Sequence, residues 1–268
     1  MLRKTHRPAT ILFLHLPKTA GISLRSVFFQ GYEDAQIFRI EPNDPVSSIR
    51  QLKSLSKRER RHLKLVTGHT LWGAHYFVEA PFLYVTMLRD PVERVLSSFS
   101  YIRSLPSHFL YEEMHASEMS LKKFLTWKKS QFEVENQQTK LLAGVFNTKK
   151  ACTQDVYKQA VEHLEKYCLV GLTEHFAQSL TMFENILELE HAEVPKSNVT
   201  HQRLRRTEIE PDVLEEIHRR NQYDLALYSK AEKLFTETLE NPTSVLSTKK
   251  MSSSSRDKNA ENCDFILI

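Results

Sequence analysis

Four short apolar runs break a chain that otherwise repeats its apolar residues at helical spacing. Residues 11–16, 65–69, 82–88 and 168–171 read as buried strands, the third rich in strand formers. Leu24, Val27 and Phe28 predict a helix straight after the first strand, and residues 47–64 predict one or two surface helices. Asp90, Pro91 and Glu93 mark a helix start in the style of a capping box. Val92, Val95, Leu96, Phe99 and Ile102 form its apolar stripe, with Arg94, Ser97 and Tyr101 on another face. The remainder reads as helices over 121–129, 135–143, 154–167, 174–189, 211–220 and 224–239. Strands alternating with helices, then a helical second half, predict an α/β fold: a central, mostly parallel sheet in a three-layer, P-loop-like arrangement.

Residues 1–240 are expected to form one domain. From residue 241 serine, lysine and asparagine dominate, which predicts a disordered tail. The apolar end, Phe265-Ile266-Leu267-Ile268, is at odds with that composition. With 37 Lys and Arg against 33 Asp and Glu, the net charge is +4. That mild excess suits an anionic ligand without demanding nucleic acid. No apolar run approaches the roughly 20 residues of a membrane span, so the expectation is a cytoplasmic protein with no membrane partner. Cys152, Cys168 and Cys263 have no paired spacing, which gives neither a disulfide framework nor a zinc site. Cys168 reads as a small core residue. No metal site is expected. The basic cluster Lys53, Lys57, Arg58, Arg60, Arg61 and Lys64 reads first as a solvated helix face, and second as a docking surface for an acidic acceptor.

Between the first strand and its helix lie Pro17, Lys18, Thr19, Ala20, Gly21, Ile22 and Ser23. A strand, a lysine-bearing turn and a helix start make a phosphate site, because free amides and the helix dipole face the anion. Lys18 adds a full charge, and Thr19 and Ser23 add hydroxyls. The ATP loop G-x-x-x-x-G-K-[ST] matches only at Lys18-Thr19, since Leu12 and Pro17 replace its glycines.

Several separated stretches together resemble one family. HLPKTAGISL (15–24) is similar to the 5′-phosphosulfate loop of sulfotransferases that use 3′-phosphoadenosine-5′-phosphosulfate (PAPS). YVTMLRDPVERVLSSFSYIR (84–103) resembles their 3′-phosphate loop, which implies that Arg89 and Ser97 hold the nucleotide's 3′-phosphate. TGHTLWG (67–73) resembles the Gly-His segment of the heparan sulfate 2-O- and 6-O-sulfotransferase group, which implies that His69 is the catalytic base. NQQTKLLAG (136–144), LVGLTEHF (169–176) and the pattern Asn221, Asp224, Leu227, Tyr228 are also similar to that group. The resemblance covers residues 11–239. It implies PAPS as donor, PAP as product, no metal, and a carbohydrate or other small hydroxyl acceptor. The chain looks like the compact cytosolic members.

The chemistry agrees with those assignments. In-line sulfuryl transfer needs the charge on the bridging oxygen stabilised, a role for Lys18, and a base for the acceptor hydroxyl, a role for His69. His69 as a backbone-satisfied core histidine is the alternative, and His15 and His75 are the competing bases. A nucleotide kinase of related architecture, or a non-catalytic module binding PAP or an acidic glycan, are the competing functions.

Overall fold

The computed structural model describes residues 10–41, 44–68, 72–79, 81–145, 150–189 and 204–242. Strand β1 (Thr10–Leu14) is buried at every position and lies at the centre of a five-stranded sheet. Around it are β2 (Ile37–Ile40), β3 (Leu65–Gly68), β4 (Phe82–Leu88) and β5 (Cys168–Leu172), in the order β2-β3-β1-β4-β5 with every pairing parallel. Strands covered on both faces carry continuous apolar runs, which is why β1, β4 and β5 were legible. β2 was not among the expected strands. It has only four residues, buried at its two ends and more exposed between, at the sheet's edge, too short a run to stand out.

Helix α1 (Gly21–Gly31) follows β1, and α2 (Pro45–Ser54) and α3 (Lys57–His62) fill the stretch read as one or two surface helices. Helix α4 (Pro91–Ser104) starts where expected, with the Asp90 carboxylate accepting from the Glu93 amide. After it come α5 (Tyr111–Ala116), α6 (Leu121–Thr126), α7 (Gln131–Val134) and α8 (Gln137–Leu142). Then follow α9 (Gln154–Tyr167), α10 (Phe176–Leu187), α11 (Pro211–Arg220) and α12 (Gln222–Glu240). The expected helix over 121–129 is shorter, because Trp127 turns extended after Thr126.

Two apolar cores result. One surrounds the sheet and includes Cys168. The other is helical and joins the α4 stripe to Phe124, Leu125, Val134, Val213 and Ile217. The α4 stripe thus packs on the helical core. Part of the basic cluster is structural: Arg60 pairs with Glu79 at 3.1 Å, and the Lys53 ammonium lies over the Phe77 ring. Among the described residues no helix is long and apolar enough to cross a membrane. The tail beyond residue 242, with Phe265–Ile268, lies outside the described residues.

Candidate active site

The turn after β1 is built from an unusual backbone. Lys18 and Ala20 both have left-handed φ values, 66° and 61°. Side chains with a Cβ resist that region, so its use twice in three residues is a local strain that favours a concave run of amides. Ala20 is the N-cap of α1, and no side chain caps that helix. Its first amides therefore face outward unclaimed by a capping oxygen. Thr19 is buried, and its hydroxyl donates to the Leu16 carbonyl at 2.9 Å. That bond helps to close the turn. Pro17, Lys18, Ala20 and Ser23 are half-buried, and Ile22 is exposed.

His15 closes the turn from beneath. Its ring stacks on Phe13, with centroids 5.6 Å apart and planes 10° off parallel. A Cβ at Gly21 would lie 1.9 Å from its Cδ2. Gly21 is thus required by close approach of the His15 ring.

Arg89 sits at the end of β4, beside β1 where the strand order reverses, the usual ligand side of an open parallel sheet. Its guanidinium donates to the Lys18 carbonyl at 3.0 Å, so the two sequence-predicted anion loops meet. Arg89 is only 8% exposed, and Gln138 clamps its backbone from both sides. The Arg89 amide donates to the Gln138 side-chain oxygen, and the Gln138 amide group donates to the Arg89 carbonyl, each at 2.9 Å. Glu174 accepts from the Asp90 amide and from Tyr228 Oη, and approaches Arg89 Nε to 3.9 Å. Ser97, two turns into α4, is nearly buried at the same end of the sheet.

Behind this corner lies a polar knot. The Asp224 carboxylate accepts from the Gln138 and Thr139 amides at 3.1 and 2.7 Å, capping α8. Asn136 Oδ1 accepts from the Tyr223 and Asp224 amides at 2.8 and 3.0 Å, so α8 and α12 cap each other. Asn136 reaches this position with φ of 45°, a conformation asparagine tolerates. Asn221 donates to the Val134 carbonyl and accepts from the Asn136 amide. The segments NQQTKLLAG and Asn221-to-Tyr228 therefore brace Arg89.

Sequence reasoning missed several buried charges. Arg94 is wholly buried, donating to Gln137 Oε1 at 2.7 Å and to the Glu133 carbonyl at 2.6 Å. Burial lowers its pKa, partly opposed by Asp224 and Glu133. Lys140 is buried too, and its Nζ has no hydrogen-bond partner among the described residues. Tyr101 was placed only on a helix face, yet the Lys18 ammonium stands 3.6 Å from its ring centre. An aromatic one turn beyond Ser97 was the available signal.

His69, the expected base, lies outside the described residues. The residue before it does not. Gly68 has φ of +145°, and a Cβ there would come within 2.3 Å of the Ile40 carbonyl oxygen. Any side chain at this strand end would therefore clash, so the position calls for glycine. His75, the competing base, is differently occupied. Tyr84 Oη accepts from the Gly73 and His75 amides, so its own proton goes to His75 Nδ1, 2.9 Å away. Burial, then the charge of nearby His163, lowers the His75 pKa to about 4. His163 Nδ1 donates to the Leu142 carbonyl at 2.8 Å and stacks on Trp72, whose other face meets Tyr84. Burial likewise takes His163 to about 4. These imidazoles are structural and neutral.

Three comparisons bear on identity. The chain is 25% identical over 185 residues to heparan-sulfate 6-O-sulfotransferase 2 of Danio rerio, a stretch that is 58% of this chain and 38% of that relative's length. Among solved structures it is similar to mouse sulfotransferase SULT7A1 complexed with PAP, at 14% identity and a TM-score of 0.38, over 92% of this chain and 90% of that one. A model of the sulfotransferase family matches residues 4–231, most of the chain. With that match across both anion loops and their brace, the chain belongs to the sulfotransferase family.

Proposed function

We propose that this protein transfers a sulfuryl group from PAPS to a hydroxyl of a carbohydrate or other small acceptor. The observation that carries the reading is the contact between Arg89 and the Lys18 carbonyl, which joins two basic loops at one end of the sheet. Outward amides, a lysine and a buried arginine fit a nucleotide with anions at both its 5′ and 3′ positions. Residues 17–23 bind the 5′ side; Arg89 and Ser97 bind the 3′-phosphate. When bound, PAPS supplies an activated sulfuryl group with a phosphate as leaving group. Lys18 neutralises charge on the bridging oxygen, and His69 takes the acceptor's proton. The acceptor class rests on the heparan sulfate relative and on the Gly-His segment. A sulfuryl group carries less charge than a terminal phosphoryl group, so no metal is needed to offset it.

Titration calorimetry tests the nucleotide, and turnover tests the base. PAP binds more tightly than AMP or ATP, and Arg89→Ala weakens PAP by about 2–4 kcal/mol. Equal affinity for PAP and AMP in the unmutated protein would sink the 3′-phosphate assignment. His69→Ala leaves PAP affinity intact while turnover falls about 10²–10⁴-fold. PAP binding without turnover on any acceptor would favour the non-catalytic module, and turnover of ATP that needs magnesium would favour a kinase.

A further inference from the structure

The charge this reaction needs sits at the end of a flexible four-carbon stem. A lysine ammonium is a mobile point charge, unlike the planar fork of arginine. What confines Lys18 is an aromatic face: its Nζ stands 3.6 Å from the centre of the Tyr101 ring. Tyr101 lies one turn beyond Ser97 on α4, half-buried and packed against the helical core, with its ring under the Lys18 ammonium.

The ring is itself held. The His108 ring meets it at 6.2 Å and 81°, an edge-to-face contact. His108 Nδ1 accepts from the Leu110 amide at 3.2 Å, and Phe109 stacks on the His108 ring at 4.6 Å. The connection between α4 and α5 therefore packs against the ring as well. Burial lowers the His108 pKa, and Lys18 adds to that shift while Glu133 opposes it, so the Lys18 charge reaches this imidazole.

We propose that Tyr101 is the positioning residue for Lys18, its ring face holding the ammonium at the mouth of the phosphate loop. The proposal rests on the reaction role given to Lys18 above. A ring quadrupole attracts a cation over its face, and a phenyl ring does so nearly as well as a phenol. An aliphatic side chain of similar bulk does not. Tyr101→Phe therefore keeps the function, and Tyr101→Leu loses it.

One readout is independent of turnover. In protein labelled with ¹³C at lysine Cε, the Lys18 resonance, assigned by its loss in Lys18→Arg, is shifted upfield by the ring current. Tyr101→Phe retains that shift, and Tyr101→Leu removes it. A second readout uses PAPS turnover. Tyr101→Leu lowers kcat about tenfold, the scale of a partly desolvated cation–π contact, with donor KM little changed. Tyr101→Phe stays near the unmutated rate. In a Lys18→Ala background, adding Tyr101→Leu costs nothing further. An unchanged Lys18 resonance in Tyr101→Leu would overturn the proposal. So would a rate loss that persists in the Lys18→Ala background, because the ring would then act through packing. Melting curves of all variants separate either result from misfolding. If no variant, nor the unmutated protein, turns over PAPS, the functional reading fails while the resonance still judges Tyr101.

Discussion

The two anion loops are held by opposite means. Arg89 is fixed by bonds to its backbone and side chain, from Gln138, the Lys18 carbonyl and the Glu174 carboxylate. Behind these, two helices cap each other through Asn136 and Asp224. The Lys18 loop relies on left-handed backbone at two residues, a close-packed glycine, one buried hydroxyl and a ring face. A guanidinium that only binds benefits from being fixed in advance, since ordering it on binding would cost affinity. An ammonium that must follow charge as a bond breaks needs some freedom, and a cation–π contact restrains without fixing direction. The difference in anchoring thus matches the difference in proposed task.

The strongest way to break the contrast is to remove the brace. Asp224→Ala strips two buried amides of their acceptor and Arg94 of a countercharge. The loss is expected at about 3–5 kcal/mol in urea denaturation. Hydrogen exchange should show α8 opening while the β1–α1 turn keeps its protection. Equal loosening of both loops would mean that they share one scaffold after all.

Gly21→Ala acts on the other side. The added Cβ must displace His15, whose ring is packed on Phe13, so relief by a simple side-chain swing is closed. A destabilisation of about 2–3 kcal/mol follows from such overpacking. PAP binding should weaken with it, because the turn carrying the outward amides has to move. If Gly21→Ala left both stability and PAP affinity unchanged, the close approach of His15 would not be what shapes the loop.

Much of this architecture is legible in the chain, and the reason differs by residue. Phe82–Leu88, Gln154–Tyr167 and Pro211–Arg220 could be read because local period and capping signals agree with burial. Lys18 and Arg89 could be read because Arg89 directly follows a strand and Lys18 lies in the turn after one. Arg94 and Lys140 could not, since charged residues on a helix are ordinarily solvated and only tertiary packing reverses that. Asn136, Asn221 and Asp224 stood out only through the family resemblance, which does not say whether they touch a ligand or cap a helix. The bonds that tie α8 to α12 span about 85 residues, a distance at which no local pattern helps. Tyr101 shows the same limit: its periodicity assigned a face, and only the folded turn brought Lys18 onto its ring.

Acid provides the gentlest test, because it reaches the brace from behind. His163 donates to the α8 carbonyl of Leu142, and His75 receives the Tyr84 proton. Both imidazoles have pKa values lowered from 6.5 to about 4. Between those values the unfolded chain binds protons that the folded chain refuses, so stability rises with pH across that window. It is complete above about 6.5 and drains away as pH falls toward 4. The physical obstacle at His75 is specific: Tyr84 Oη already accepts twice, and a protonated Nδ1 would require it to accept a third time. From pH 7 to pH 5 the loss is about 1 kcal/mol per imidazole, after discounting for residual solvent. His75→Phe lowers stability at every pH, but the informative quantity is the slope, which should fall by about half of the two-histidine total. Acid should also raise exchange in α8 before it does so in the turn at Lys18. A slope unaltered in His75→Phe would place the acid sensitivity among the carboxylates, and the brace would then be no more vulnerable to protons than the loop it supports.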